Sequence, residues 1–196
     1  YGQLGLNNKE NSNYAKLVLG EGGSSNLDRI IDISAGSYGS AAVNQFGWVF
    51  VWGNGTYGEM ANGTKTTKLT PTKTTINTGI TASMGAGHTI SIGQNGHGYT
   101  WGRNTYGELG VGNTTNSTTV NKVLEAITEV SAAGYETVAK KVDGNIVAVG
   151  LNTDGQLGNG TVTNATSFTT ITLPTAVTAM NKVKVVIQDM TEKGDI

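Results

Sequence analysis

Tyr106-Gly107-Glu108-Leu109-Gly110 is one of four versions of a single five-residue phrase, and the others lie at residues 1–5, 57–61 and 154–158. The second residue of every version is glycine, and these glycines are 56, 49 and 48 residues apart. A sequence period of this length indicates one supersecondary unit copied in series, as in a propeller or a solenoid. The repeat therefore predicts the architecture before any other motif is considered.

Each period also contains several β-strand signals. The predicted strands are residues 30–33, 40–43 and 49–53 in the first period, 80–83, 89–92 and 98–102 in the second, and 127–130, 137–140 and 146–150 in the third. A Thr- and Asn-rich stretch after each phrase, such as residues 113–120, can supply a fourth, outer strand. Asn95-Gly96 and Asp143-Gly144 predict two-residue type I′ hairpins, in which both central residues have positive φ. Three or four short strands per period are typical of a propeller blade.

The sequence predicts that the whole chain forms one repeat domain. We place the repeats at about residues 1–52, 53–101, 102–149 and 150–196, the last one degenerate and truncated. In that last repeat, residues 177–180 and 194–196 align weakly, at an offset of 50, with residues 127–130 and 144–146 of the third repeat. We expect the core between blades to contain the tryptophans and the Leu or Met of each phrase, namely Trp52, Trp101, Leu4, Met60, Leu109 and Leu157. The first residue, Tyr1, suggests a piece of something longer.

Composition argues against several classes of partner. Charged residues make up 14% of the chain, with 13 basic and 14 acidic side chains, so no basic stripe is available for nucleic acid. There is no cysteine, which excludes disulfides and thiolate metal sites. No apolar run approaches the roughly 18 residues that span a bilayer. We therefore expect neither nucleic-acid binding nor membrane insertion.

Candidate catalytic and cofactor motifs are better explained by the repeat. Residues 53–58 spell the glycine pattern of a dinucleotide site, but no helix signal follows. Gly55 aligns with Asn104 and Asn152, and because Gly and Asn both tolerate the left-handed conformation, we interpret the position as a turn. Glu59 and Glu108 align with glutamines in the other repeats, which argues against a catalytic carboxylate pair.

The two histidines, His88 and His97, are too few to make a convincing metal site. No nucleophile elbow or other base-adjacent nucleophile signature is present. We expect no enzyme activity, no cofactor and no metal.

The stretch from Gly85-Ala86-Gly87-His88-Thr89 through Asn95-Gly96 to residues 101–110 resembles the repeat of the regulator of chromosome condensation family. The resemblance covers nearly the whole chain and implies an all-β fold of β-propeller blades, normally seven to a ring. Four repeats cannot close such a ring, so the chain is either part of a longer array or associates with other copies. The family's corner histidine is kept only at His88, and Gly39 and Glu136 stand at the equivalent positions.

The resemblance also suggests roles. Eukaryotic members act as exchange factors for a small GTPase and bind chromatin, but the balanced charge argues against chromatin here. A propeller-type β-lactamase inhibitor uses aromatic loops at one end of the ring, and Tyr14, Tyr38 and Tyr135 can contribute to such a surface. The first period is longer than the others by seven or eight residues, and the excess near residues 20–26 offers Glu21, Ser24 and Asn26 as partner-binding loop residues.

These observations favour a non-catalytic scaffold that binds a protein partner. The low charge and the Asn, Thr and Gly richness suggest a larger bacterial exported or cell-surface protein, and hence an extracellular location. One alternative is a self-assembling subunit that completes a propeller or filament between copies, because an open array leaves an unpaired blade face. A further alternative is an inhibitor-like or glycan-binding propeller.

Overall fold

A computed structural model describes residues 1–172, and its strands form three four-stranded antiparallel sheets in chain order. Blade 1 contains β1 (Ile30–Ala35), β2 (Gly39–Asn44), β3 (Val49–Gly53) and β4 (Lys68–Lys73); blade 2 contains β5 (Gly79–Met84), β6 (His88–Gly93), β7 (Gly98–Gly102) and β8 (Ser117–Leu124); blade 3 contains β9 (Ile127–Ala133), β10 (Glu136–Lys141), β11 (Ile146–Gly150) and β12 (Ala165–Ile171). A 3-10 turn at Glu21–Gly23 precedes blade 1. The predicted all-β fold of propeller blades is confirmed.

Neighbouring blades are joined through their inner strands β1, β5 and β9. The Asp32 carboxylate on β1 accepts hydrogen bonds from the Thr81 hydroxyl and the Ala82 N–H, both at 2.8 Å. The Ser34 hydroxyl accepts from the Met84 N–H at 3.0 Å, which adds a second link between β1 and β5. On β5, Ser83 makes the matching bond to the Ala132 N–H of β9 at 2.9 Å. Side chains of each inner strand thus satisfy main-chain donors of the next one.

The core between blades 1 and 2 is built largely from the residues that the repeat predicts. Met60 and Trp101 are fully buried in one cluster with Val43, Val51 and Met84. Five of the six predicted core residues are buried, namely Trp52, Trp101, Met60, Leu109 and Leu157. Burial of side chains this large stabilises the fold by about 2–3 kcal/mol each.

The prediction for Leu4 is wrong, because its side chain is 44% exposed. It borders a cavity of about 590 Å³ beside blade 1, together with Leu17 and Ile33. Met60 and Leu109, at the same position of the phrase, lie between two blades, whereas residues 1–172 place no blade on this side of Leu4. The repeat predicts an apolar side chain at this position of the phrase, but it does not predict whether a neighbouring blade covers that side chain.

The predicted type I′ hairpins are also wrong. Gly96 has a φ of 72°, while Asn95 is not in the positive-φ region. The Gly96 N–H donates to the Gly93 carbonyl at 2.8 Å, and the Gly93 N–H donates to the His97 carbonyl at 3.0 Å. This is a longer loop with a single left-handed residue at its end, and Asp143-Gly144 forms the same loop. The Asn95 side chain favours this form because its Oδ1 accepts the His97 N–H at 3.1 Å.

The outer strands come from the stretch after each phrase, as expected, but β8 begins at residue 117 and not near 113. Each sheet therefore takes three strands from one sequence period and its fourth strand from the next. Residues 177–180 and 194–196, which we aligned with the third repeat, lie outside the described residues.

Candidate functional site

One end of the blades gathers most of the tyrosines. In an antiparallel sheet, the β1–β2 turn and the β3–β4 loop lie at the same end, and the equivalent segments of blades 2 and 3 follow them. Tyr38, Gly87 and Tyr135 occupy equivalent positions immediately before β2, β6 and β10. The first residue of the phrase, Tyr1, Tyr57 or Tyr106, reaches the same end, which we call the tyrosine end.

Two pairs of tyrosines pack against each other at the tyrosine end. The rings of Tyr1 and Tyr38 are 5.3 Å apart and nearly perpendicular, and those of Tyr106 and Tyr135 are 5.2 Å apart. These are the edge-on and tilted geometries that aromatic pairs prefer. In each of these two repeats, the tyrosine that opens the phrase thus pairs with the corner tyrosine that follows it in the sequence.

The middle corner is different, because Gly87 stands where the flanking corners have tyrosine. A side-chain Cβ at Gly87 would lie 3.3 Å from Cβ and 3.5 Å from Cδ of Arg103, and 3.5 Å from the Tyr57 ring. Arg103 therefore fills the space that an aromatic side chain takes in blades 1 and 3. A side chain at this corner would therefore pack tightly against Arg103 and Tyr57.

The Arg103 guanidinium lies among three tyrosine rings, which we call the Tyr–Arg cluster: Tyr57, Arg103, Tyr106 and Tyr135. Its Cζ is 4.3 Å from the Tyr135 ring centroid, 5.3 Å from that of Tyr57 and 5.4 Å from that of Tyr106. All three distances are within the range of cation–π attraction. The Arg103 Nε donates to the Thr105 hydroxyl at 3.2 Å, and the side chain is 16% exposed. The result is a cation held in a fixed orientation at the rim of the surface.

Two buried glutamates shape the backbone beneath this cluster. The Glu59 carboxylate accepts the Tyr57 N–H at 2.7 Å, and the Glu108 carboxylate accepts the Tyr106 N–H at 2.8 Å. Burial raises the pKa of both carboxyl groups, against the main-chain hydrogen bonds and the Arg103 charge, which lower it. The Gln156 side-chain oxygen accepts the Asp154 N–H at 2.9 Å in the same way. This shared bond explains why Glu and Gln interchange in the phrase.

His88 lies fully buried next to the cluster. Its Nε2 is 3.2 Å from the Glu136 carbonyl oxygen, while Nδ1 has no partner among the described residues. Burial lowers the pKa of His88 to about 4, with the Glu136 carbonyl opposing this shift and the Arg103 charge adding to it. The ring is therefore neutral at pH 7.

Asn104 holds the loop that follows β7. Its Nδ2 donates to the carbonyl oxygens of Asn113 at 2.9 Å and Thr115 at 3.1 Å, and its Oδ1 accepts the Leu109 N–H at 2.9 Å. Asn152, also fully buried, makes matching bonds in the loop after β11. Each asparagine therefore holds the phrase that follows it, and Asn104 positions the phrase that contains Tyr106.

The interpretation of Gly55, Asn104 and Asn152 as left-handed turn residues is wrong, because none of them has a positive φ. Gly55 lies so close to the Thr66 carbonyl that no side chain fits. In that loop, the Asn54 side chain supplies part of the hydrogen bonding, because its Nδ2 donates to Glu59 Oε1 at 3.2 Å. The three positions are equivalent, as aligned, but the asparagines at two of them are explained by a side-chain hydrogen-bond network and not by backbone conformation.

The structure separates the six predicted partner-binding residues into three places. Tyr38 and Tyr135 lie at the tyrosine end, whereas Tyr14 lines the cavity beside blade 1. Glu21, Ser24 and Asn26 lie in or next to the 3-10 turn, where Glu21 is 3.1 Å from Lys73 at the end of β4. Sequence reasoning missed Tyr57, Arg103 and Tyr106, although the tyrosine that opens three of the four phrases was a usable signal.

Metal and membrane features are limited in the described part of the chain. Within residues 1–172, no three His, Cys, Asp or Glu side chains are grouped closely enough to hold a metal ion. No helix in the same residues has the length and apolarity to cross a membrane.

Comparison with known proteins agrees with this geometry. The family model described as "Regulator of chromosome condensation (RCC1) repeat" matches residues 47–92 and 95–139. The chain carries RCC1 repeats. These two matches cover the strands and turns of blades 1 and 2 that place Arg103 and Tyr57 at the tyrosine end.

Solved structures of other proteins, among them yeast RCC1 (Prp20), have a similar fold. Human WBSCR16 is 18% identical over 74% of this chain and 41% of its own, with a TM-score of 0.66. Prp20p from Saccharomyces cerevisiae is 20% identical over 77% of this chain and 40% of its own, with a TM-score of 0.67. Yeast RCC1 (Prp20) bound to Kap60 is 17% identical over 89% and 43%, with a TM-score of 0.71. The RCC1-repeat chain thus spans about two fifths of the length of these structures.

Proposed function

We propose that this RCC1-repeat chain is a non-catalytic interaction scaffold and that the tyrosine end is its surface for a protein partner. The observation that carries the proposal is the Arg103 guanidinium set among Tyr57, Tyr106 and Tyr135. Tyrosine and arginine are enriched among the residues that dominate binding energy at protein interfaces. Tyrosine offers a large contact area with few rotatable bonds, and each hydroxyl can bond a partner.

The cluster is also well ordered before any partner arrives. Glu59 and Glu108 bond the main chain of Tyr57 and Tyr106, and Thr105 bonds Arg103. A surface that is already ordered loses less side-chain entropy on association than a mobile one. This supports recognition by a preformed patch.

The nature of the partner is supported by charge and by relatives. A net charge of −1 gives no basic surface for nucleic acid, so we infer a protein partner. Prp20p is described by its binding to Gsp1p and histones, and yeast RCC1 has been solved bound to Kap60. Those partners belong to those proteins, and the resemblance extends to this chain only as support for protein binding.

Site-specific photo-crosslinking in the native source tests the proposal. A crosslinker at Tyr135 should capture a protein, whereas one at Val142, which is 69% exposed at the β10–β11 turn, should not. We expect Arg103→Ala to weaken binding of the captured protein at least tenfold, and the matched control Val142→Ala to leave it unchanged. Equal binding by Arg103→Ala, Tyr135→Ala and the original chain would place the interface elsewhere.

Self-association is the second candidate, and one observation favours it. Leu17 and Ile33 are 74% and 76% exposed around the cavity beside blade 1, an apolar surface of the kind that another sheet covers. We expect a concentration-dependent sedimentation coefficient that becomes constant in Ile33→Ser. A monomer at every concentration would remove this candidate.

The setting of the scaffold is part of the same proposal. An exported or cell-surface location is inferred from the low charged fraction and the Asn, Thr and Gly content alone. Fractionation of the native source, followed by detection of the chain outside the cell, tests it.

A further inference from the structure

The segment that lengthens the first repeat forms one wall of a groove at the other end of blade 1. Residues 20–28 lie along this wall, and the β2–β3 turn with Phe46 and Trp48 forms the opposite wall. The groove encloses about 280 Å³, which is at the small end of the range for ligand sites. We propose that it binds one ring of a neutral carbohydrate.

Two aromatic side chains face the groove at positions that the turn does not require to be aromatic. Phe46 and Trp48 correspond to Asn95 and His97 in blade 2 and to Asp143 and Asn145 in blade 3. The turn is held by Asn44, whose Oδ1 accepts the Phe46 N–H at 3.1 Å and the Trp48 N–H at 3.0 Å. Because the asparagine does the structural work, the turn does not need either ring. Phe46 is 55% exposed, with the Arg29 guanidinium carbon 5.3 Å from its ring centroid.

The charges of the groove are already paired. Lys73 Nζ is 3.1 Å from Glu21 Oε2, and Arg29 Nε is 3.6 Å from Asp28 Oδ2. Counted with Arg29, which lies beside the groove and not in its lining, these two pairs sum to zero net charge and leave no unpaired charge for an ionic ligand. The hydroxyls of a sugar, in contrast, can bond carboxylate oxygens as donors and the Asn26 amide as donor or acceptor. The mixture of ring faces with planar polar groups thus fits a neutral polyhydroxyl ligand.

The groove wall is ordered by its own hydrogen bonds. The Gly20 N–H donates to the Ser25 carbonyl at 2.9 Å, and the Leu27 N–H donates to the Val18 carbonyl at 2.9 Å. The Glu21 carboxylate also accepts the Lys73 N–H at 3.4 Å, which ties the wall to β4. The Lys73 ammonium lies 5.1 Å from the Trp48 ring centroid and fixes that ring. The inserted segment therefore forms a shaped site on a rigid blade.

The three tryptophans supply the readout. Trp52 and Trp101 are buried, and their indole N–H groups donate to the carbonyls of Gln3 and Glu59. Trp48 is partly exposed in the groove. Titration of the ¹⁵N-labelled chain with neutral mono- and disaccharides should therefore shift the Trp48 indole signal in a saturable way and leave the other two in place.

Variants separate binding from folding. We expect Phe46→Ala to weaken the sugar response at least tenfold, while unchanged Trp52 and Trp101 signals show that the blade is intact. Arg103→Ala, at the tyrosine end, should bind sugar like the original chain. The proposal is overturned by no Trp48 shift with any sugar of the panel, by an equal response in Phe46→Ala, or by a larger response to sodium acetate or calcium chloride than to sugar.

Discussion

Met60 and Leu4 stand at the same position of the repeated phrase, yet one is fully buried and the other is 44% exposed. Met60 lies at the junction between blades 1 and 2, whereas Leu4 borders the cavity on the other side of blade 1. The tryptophans that follow make the same bond on both sides, from Trp101 to the Glu59 carbonyl and from Trp52 to the Gln3 carbonyl. The phrase therefore fixes the local hydrogen bonds, while the neighbouring sheet decides how much stability the phrase adds.

The largest expected effect tests that difference directly. Met60→Ala removes a side chain from a filled junction, and we expect the free energy of unfolding to fall by about 3–4 kcal/mol. Leu4→Ala should cost less than about 1 kcal/mol, because its side chain still contacts water. Urea unfolding of both variants measures the two values, and similar losses would mean that Leu4 is covered in solution.

The second effect concerns the corner at which the blades differ, with His88 in blade 2 where blades 1 and 3 have Gly39 and Glu136. The folded-state pKa of His88, about 4, lies below the ordinary value of 6.5. Between these values the unfolded chain binds more protons, so stability falls as pH falls from about 6.5 to 4. The full difference corresponds to about 3 kcal/mol.

Unfolding measured from pH 7 to pH 4 tests this, with His88→Gln compared against the original chain. The variant should lose less stability across this window than the original chain does. The raised pKa of Glu108 acts in the opposite sense, since its carboxylate destabilises the fold as pH rises, but it is common to both proteins. His97→Gln, which replaces a partly exposed histidine at the other end of the blade, is the control for the loss of a histidine away from this corner. Parallel profiles for His88→Gln and the original chain would contradict the buried, neutral histidine.

The third effect compares a loop held by buried side-chain hydrogen bonds with a loop whose side-chain hydrogen bonds are exposed. Asn104→Ala removes the four hydrogen bonds that its fully buried side chain makes in the loop of blade 2, and we expect a loss of about 2–3 kcal/mol. Asn62→Ala, in the equivalent loop of blade 1, removes exposed bonds to Thr64 only and should cost a few tenths of a kcal/mol. Chemical unfolding again provides the measurement, and equal losses would mean that Asn104 does not hold the loop.

These contrasts show which features were predictable from the sequence. The period and the strand pattern gave the blades and most of the core, because both depend on local residue order. The exposure of Leu4 depends on a neighbouring sheet that local order does not specify. Arg103 was missed because it fills the space beside Gly87, which lies on another strand pair and is recognised only in three dimensions. Asn104 was aligned correctly but was given a backbone role, since a recurring asparagine does not reveal which hydrogen bonds its side chain makes.

The smallest effect distinguishes packing from recognition at the tyrosine end. Arg103→Ala removes the cation–π contacts and the 3.7 Å ion pair with the buried Glu108 Oε1, and it should reduce the free energy of unfolding by about 1–2 kcal/mol. Adding Gly87→Tyr to this variant places a tyrosine next to Tyr57, as Tyr135 lies next to Tyr106 in the following repeat. Because Gly87 has no positive φ, the backbone accepts the larger residue, and the new aromatic pair should restore about half of the loss.

The double variant should nevertheless fail to recover partner binding, because a guanidinium and a phenol offer different groups to a partner. Thermal unfolding measures the first property, and affinity for the crosslinked partner measures the second. Recovery of both together would mean that Arg103 only fills space at this corner. Recovery of stability alone would show that Arg103, at the one corner of the three blades that lacks a tyrosine, serves recognition in addition to packing.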